Sequence, residues 1–299
     1  METTTIDNKI LMPINKDFLE VFEIFMDDNQ KEKIRANNVR QYVEGIIDLL
    51  LKDKILPVLK QNELYEGVNW KRKIKIIQEN YDRQIAEKIQ KIFRIGGDGS
   101  HFSGKVSDEE LQSIIDMAIH IVEDIFVNYF LVPEHEFGRE NIFTIFSMLP
   151  LKHRIYILEK ISTHYNNKHI VDRLSLAYVK NGEEDKAKDL LNKSLNDKII
   201  DKIFYEQKLI SLNAVRVNIE ELYKQNADYE KNPEYSKAIV DGSLLVVGLS
   251  TSKDIFDTAK AMQIFSGWFE NAKSDYPEFI NLFFYLMQTD NRSYKQIEE

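Results

Sequence analysis

The stretch SDEELQSIIDMAIHIVEDIF, residues 107–126, carries the clearest signal of fold class in the chain. Ser107 and Glu110 have the spacing of a capping box, in which the serine hydroxyl and the glutamate carboxylate bond free backbone amides at a helix start. Apolar residues follow at helical spacing, which predicts one buried helix face. That predicted face consists of Leu111, Ile114, Ile115, Ala118, Val122, Ile125 and Phe126. The stretch therefore predicts a long amphipathic helix.

The rest of the chain has the same helical character. Its 299 residues include only 6 prolines and 11 glycines, and its Lys-, Glu-, Ile- and Leu-rich runs show almost no alternating pattern. Residues 37–55 and 70–93 read as two amphipathic helices joined by a less regular segment around Pro57 and Gly67. We predict an all-α fold, and two domains, since one hydrophobic core rarely serves a chain of this length.

Charge and composition limit the kinds of function. The chain has 40 basic and 49 acidic residues, a formal net charge of −9, so any contact with nucleic acid should be local. The lack of cysteine excludes disulfides, thiolate zinc sites and cysteine nucleophiles. The six histidines lack the spacing of metal ligands, and we expect neither a metal nor a cofactor. No signal peptide or membrane-spanning run is apparent, and a cytoplasmic protein without membrane contact is expected.

The segment LVPEHEFGRE, residues 131–140, combines proline, glycine and charges after a long helix and predicts a domain boundary. We expect a helical bundle over residues 1–135 and a second helical domain over residues 136–299. Within the second domain, residues 171–195 resemble one tetratricopeptide repeat, whose small residues let two helices pack closely. The matching positions are Leu174, Ser175, Tyr178, Gly182, Ala187, Leu191 and Ser194. Residues 234–249 and 257–272 are expected to be degenerate hairpins of the same kind.

The glycine-rich segment RIGGDGSH, residues 94–101, leaves several interpretations open. Its glycines could let the chain turn at the end of a basic helix and present His101 beside Arg94. Alternatively, Arg94 and His101 could be structural partners at a corner of the bundle. Residues 99–106 also approach a phosphate-binding loop, but the Ser or Thr that holds magnesium is absent and a helix precedes the glycines.

A helix with Arg40 and Glu44, a basic helix, the segment RIGGDGSH and a capped helix follow one another over roughly residues 30–130. This order resembles the four-helix HEPN superfamily and, within it, the bacterial DUF4145 subgroup. The resemblance implies a metal-independent ribonuclease of a toxin or antiviral system, acting as a dimer with both motifs in one cleft. It makes Arg94 and His101 the motif pair and makes Asp98, Glu44 and Arg40 supporting polar neighbours. Gly97 stands where family members often carry asparagine.

These residue types suit cleavage of RNA. Histidine titrates near neutrality and can move a proton of the ribose 2′-hydroxyl, and arginine can hold the phosphate as its charge rises. Residues 70–94 contain eight basic and three acidic residues, which predicts RNA contacts. The predicted contact residues are Lys71, Arg72, Lys73 and Lys75.

RNA binding with endoribonuclease activity, by a homodimer, is the leading hypothesis. The alternative is a non-catalytic dimeric scaffold whose helical-repeat domain binds a protein partner in its groove. In that case the basic run is a solvated helix face.

Overall fold

The computed structural model describes residues 19–100, 105–132, 142, 145–147, 149, 151–229 and 275–287, with only the backbone at 19, 98–100, 218–229, 284 and 287. Regular structure in these ranges is entirely helical, without a strand, and the predicted all-α fold is confirmed. The helices are α1 (Leu19–Met26), α2 (Glu32–Ile46), α3 (Lys52–Ile55), α4 (Trp70–Asn80), α5 (Arg83–Ser100), α6 (Asp108–Leu131), α7 (Leu151–His164), α8 (Lys168–Lys180), α9 (Glu184–Asn196), α10 (Lys202–Tyr229) and α11 (Pro277–Met287). The hairpins expected at residues 234–249 and 257–272 lie outside the described ranges.

The chain divides into two compact units. The first unit comprises Met1–Asn128 and Phe284–Glu299, and the second unit comprises Tyr129–Phe283. The domain boundary expected at residue 135 falls in a segment outside the described residues, and it stays a prediction.

The first unit is built around α2 and α5, which pack against each other, with α1 against α2 and α4 against α5. The start of α6 is a capping box, as its sequence predicts. The Glu110 amide donates to Ser107 Oγ at 3.2 Å, and the Ser107 amide donates to Glu110 Oε2 at 3.2 Å. All seven apolar residues predicted for the buried face of α6 are buried. The amphipathic helix over residues 107–126 is therefore confirmed.

The expectation of a single helix over residues 70–93 is wrong. Tyr81, with φ −131° and ψ −79°, leaves the helical conformation and ends α4 at Asn80. Asp82 then starts α5, because its Oδ1 accepts a hydrogen bond from the Ile85 amide at 2.7 Å. An aspartate in this position satisfies an amide that would otherwise have no partner at the helix start.

The glycines of RIGGDGSH do not turn the chain at the position expected, since α5 continues through them to Ser100. At Gly96 an added Cβ atom would lie 2.6 Å from Arg40 Cβ and 2.8 Å from the Ala36 carbonyl oxygen. Both distances are below van der Waals contact, so α2 and α5 can approach this closely only where α5 has no side chain. Gly96 thus serves a helix crossing rather than a turn.

We expect Gly96→Ala to lower the thermal midpoint of the first unit. Insertion of a methyl group against the α2 backbone costs about 1 to 3 kcal/mol, more than the gain of at most about 1 kcal/mol from replacing a helical glycine. Gly97→Ala is the matched control, because the nearest atom, Arg40 Nη1, would be 3.7 Å from its Cβ. Thermal denaturation, followed by circular dichroism, should show a lowered midpoint for Gly96→Ala and not for Gly97→Ala. Equal stability of both variants would contradict the close crossing.

In the second unit, α8 packs against α7, α9 and α10, and α9 also packs against α10. Gly182 connects α8 to α9 with φ +79°, a left-handed conformation that favours glycine. The small residues predicted for the close approach of these helices, Ser175, Ala187 and Ser194, are all buried. The predicted helical hairpin is confirmed, while membership in the tetratricopeptide repeats stays a prediction.

Ala187 tests this hairpin, because its side chain is 1% exposed. We expect Ala187→Leu to destabilise the protein by about 1 to 3 kcal/mol through overpacking. Asp189→Leu, at an exposed position of the same helix, is the control and should change stability little. The measurement is chemical denaturation of the full chain. A parent-like midpoint for Ala187→Leu would show that the two helices do not pack closely at this residue.

Candidate functional site

The candidate site lies on one face of the C-terminal end of α5. Arg94 is exposed there and makes no ion pair with any described residue. At about 3.6 residues per turn, Gly97 and Asp98 fall within about 60° of Arg94 around the helix. Asp98 belongs to α5, but its side chain lies outside the described residues, and so does His101. Of the predicted motif pair, the structure describes the position of Arg94 alone.

Arg40 reaches this end of α5 from the neighbouring helix α2. Its Nε donates a hydrogen bond to Glu44 Oε1 at 2.8 Å, so Arg40 and Glu44 form an ion pair one turn apart on α2. The guanidinium carbon of Arg40 lies 5.2 Å from the centre of the Phe93 ring. An ion pair on one side and an aromatic ring on the other hold the Arg40 guanidinium in place.

Gly97 itself places no side chain over the Arg40 guanidinium. Arg40 Nη1 lies 3.7 Å from the point that a Cβ atom of Gly97 would occupy, so a longer side chain at this position would reach over the guanidinium. Arg40, by contact, and Arg94, by its place three residues earlier in α5, both border Gly97. A phosphate within reach of both guanidinium groups would find several donors in each planar fork.

The sequence did not single out Phe93 as part of this site. Its spacing of three residues from Gly96 could have indicated that Phe93 lies on the same side of α5 as Gly96. In the structure that side faces Arg40 of α2. Phe93 also packs against Trp70, with ring centres 5.1 Å apart, which ties α4 to the same place.

The predicted RNA-contact residues of α4 differ in exposure and in ion pairing. Lys71 is exposed and makes no ion pair with the described residues. Lys75 is exposed, with Nζ 3.6 Å from Glu79 Oε1, and Arg72 is ion-paired with Glu63. Lys71 and Lys75 are one turn apart on the outer face of α4 and offer the accessible positive charge.

Lys73 is not a surface residue, which corrects its prediction as an RNA contact. Its side chain is 4% exposed, and its ammonium lies 3.7 Å from the Tyr65 ring centre and 4.1 Å from that of Trp70. Lys73 Nζ also donates to Asp48 Oδ1 at 3.2 Å. The Lys73 ammonium therefore anchors α4 within the first unit through cation–π contacts and an ion pair.

Asp48 also accepts a hydrogen bond from the Tyr65 hydroxyl. Burial and this hydrogen bond raise the pKa of Tyr65 well above its usual value. Tyr65 therefore remains a neutral donor at physiological pH, and its ring stays available as the face on which Lys73 rests.

The remaining basic residues of the run are also mostly paired. Arg83 Nε lies 2.8 Å from Glu87 Oε1, Lys88 is ion-paired with Asp124 of α6, and Lys91 Nζ donates to Ser113 Oγ at 2.7 Å. Residues 70–94 thus present less positive charge to solvent than their composition suggests. Arg94 is an exposed cation of this run close to the glycines.

The described residues contain no group of three or more His, Asp or Glu side chains that could hold a metal ion. In the same ranges no helix is both long and apolar enough to cross a membrane. Gly99 and Ser100, which begin the segment similar to a phosphate-binding loop, are the last residues of α5. No protein-family model, curated protein or solved structure matches the chain.

Proposed function

We propose that the first unit is an RNA-binding module of HEPN type with metal-independent endoribonuclease activity, acting as a homodimer in bacterial defence. The observation that supports this most is the position of the Arg40 guanidinium. Glu44 and Phe93 hold it against Gly97, on the same stretch of α5 that carries exposed Arg94. A diester phosphate placed there would meet the charge of Arg94 and the remaining donors of Arg40, whose charge Glu44 offsets in part.

The chemistry needs a base, a phosphate anchor and a neighbouring hydroxyl. His101 in its neutral form takes the proton of the ribose 2′-hydroxyl, and the 2′-oxygen attacks the phosphorus. The bond to the 5′-oxygen breaks, that oxygen receives a proton, and a 2′,3′-cyclic phosphate remains on the upstream fragment. Arg94 and Arg40 stabilise the charge that grows on the non-bridging oxygens. The role of His101 and the shared cleft of a dimer come from the family resemblance.

We expect Arg94→Ala and His101→Ala each to abolish RNA cleavage without unfolding the protein, and cleavage by the parent to persist in EDTA. Activity should also fall at acidic pH, because a histidine of pKa about 6.5 loses its basic form there. The measurement is cleavage of a labelled RNA, with cyclic phosphate ends identified by mass spectrometry. Arg83→Ala is the control, because Arg83 is an exposed arginine in the first turn of α5. A His101→Ala variant as active as the parent would refute the mechanism.

RNA binding itself should depend on the outer face of α4. We expect Lys71→Gln with Lys75→Gln to weaken RNA binding and to flatten its salt dependence, because fewer counterions are released from the phosphates. The double variant Lys188→Gln with Lys193→Gln removes two exposed lysines of α9 and is the control. Fluorescence anisotropy at several salt concentrations measures both quantities. If the RNA affinity and salt slope of the double variant match those of the parent, the outer face of α4 does not contact RNA.

A second candidate function is a scaffold that binds a protein partner through the second unit. It is favoured by exposed apolar residues on α10: Ile203 is 68% exposed, Ile210 is 73% exposed, and Val217 is also exposed. Their interval of seven residues, close to two helical turns, puts them along one edge of the helix. An amphipathic partner helix would bury such a stripe. This function requires no RNA cleavage and would be unaffected by Arg94→Ala.

A further inference from the structure

The outer side of α10 carries a row of apolar side chains. Ile203, Ile210 and Val217 recur every seven residues, and all three are exposed. Lys208 and Leu212, two residues before and two residues after Ile210, are buried, so they lie on the opposite side of the helix. The row formed by Ile203, Ile210 and Val217, here called the α10 stripe, therefore faces away from α8 and α9, against which α10 packs.

The α10 stripe is symmetric about its central residue. Ile203 lies seven residues before Ile210, and Val217 lies seven residues after it. A second copy of α10, placed antiparallel on the first, would bring Ile210 onto Ile210 and each Ile203 onto the Val217 of the other copy. A two-fold symmetric dimer requires such a self-complementary face, because each of its contacts is made twice. Apolar side chains covered in this way lose contact with water, which favours the association.

Two charged residues beside the stripe favour the antiparallel arrangement. Glu206 lies four residues before Ile210 and Arg216 six residues after it, on the flank of the stripe towards α9. In an antiparallel pair this flank meets the same flank of the second copy. Glu206 then comes within about 3 Å, measured along the helix axis, of Arg216 of the second copy. In a parallel pair Glu206 would face Glu206, and Arg216 would face Arg216, which is repulsive.

The ion pairs that these residues make within one chain are compatible with the contact. Lys202 Nζ lies 3.7 Å from Glu206 Oε1, and Arg216 Nε lies 3.8 Å from Glu184 Oε2 of α9. Both are long contacts between partly exposed groups, which contribute little to stability on their own. Each end of an antiparallel pair would hold Lys202 and Glu206 of one copy beside Arg216 and Glu184 of the other. The charges at each end therefore balance.

We propose that the α10 stripe binds a second copy of this chain, antiparallel, about a two-fold axis through Ile210. The proposal rests on the second candidate function, in which α10 binds a protein, and it names the bound protein. The contact lies in the second unit and involves neither Arg94 nor RNA. It is therefore separate from the dimer proposed for the first unit, and RNA cleavage does not depend on it.

Disulfide cross-linking of the full chain tests the contact directly, because the chain contains no cysteine of its own. We expect Ile210→Cys to form a disulfide-linked dimer under mild oxidation, since the two-fold axis brings the two thiols together. Ser211→Cys is the matched control, because Ser211 is exposed on the same helix about 100° away around its axis. It should cross-link about tenfold more slowly. Equal rates for the two variants would overturn the proposal.

A mixture of two variants tests the orientation. Ile203→Cys and Val217→Cys should form a mixed disulfide when combined, and neither should link efficiently to itself, because an antiparallel pair places residue 203 of one copy on residue 217 of the other. Mass spectrometry of peptides from the cross-linked dimer identifies the linked positions. A faster link of Ile203→Cys to itself than to Val217→Cys would show a parallel pair and contradict the proposal.

Association in solution is measured by sedimentation equilibrium of the full chain. We expect Ile210→Glu to weaken one association step about tenfold or more, because two carboxylates would meet at the two-fold axis. Ser211→Glu adds the same charge beside the stripe and should associate as the parent does. Both positions are exposed, so neither variant should lower the thermal midpoint of the monomer. Parent-like association of Ile210→Glu would refute the self-contact and leave the stripe to a different protein, without bearing on RNA cleavage.

Discussion

The close crossing of α2 and α5 at Gly96 is the contact on which the candidate site of the first unit depends. Ala36 and Arg40 lie directly against the bare backbone of Gly96, which leaves no room there for a side chain. This approach brings the stem of Arg40 onto α5, where Phe93 and Glu44 can hold its guanidinium. A wider helix spacing would remove Arg40 from Gly97 and separate it from the face that carries Arg94. The same glycine thus sets both the packing and the electrostatics of the site.

Features set by local sequence were predictable, and features set by distant partners were not. The cap and apolar face of α6, and the turn glycine and small residues of α8 and α9, depend on neighbours within a few residues. Gly96 looked like a helix end because glycine favours turns, yet its role depends on Ala36, which lies 60 residues earlier. The break between α4 and α5 was missed because Asp82 resembles any acidic residue on a helix face until its side chain is seen to cap the Ile85 amide.

Charge was harder to interpret from the sequence than packing. Lys71 and Lys73 are two residues apart in a basic run, but only Lys71 reaches solvent, because Tyr65, Trp70 and Asp48 enclose the ammonium of Lys73. Arg154 and Lys208 of the second unit are buried as well, and no pattern in the sequence marks them. Lysine and arginine are usually exposed, so sequence gives no reason to expect them in an interior.

The cations of the two units differ in the dielectric environment of their charges. Arg94 is exposed, so its attraction for a polyanion is screened by salt and needs several phosphates acting together. Arg154 and Lys208 are buried, where charges interact more strongly and mobile ions screen them less. Binding by the first unit therefore depends on the length of its ligand. Rising salt is thus expected to weaken binding at Arg94 in proportion to the phosphates contacted.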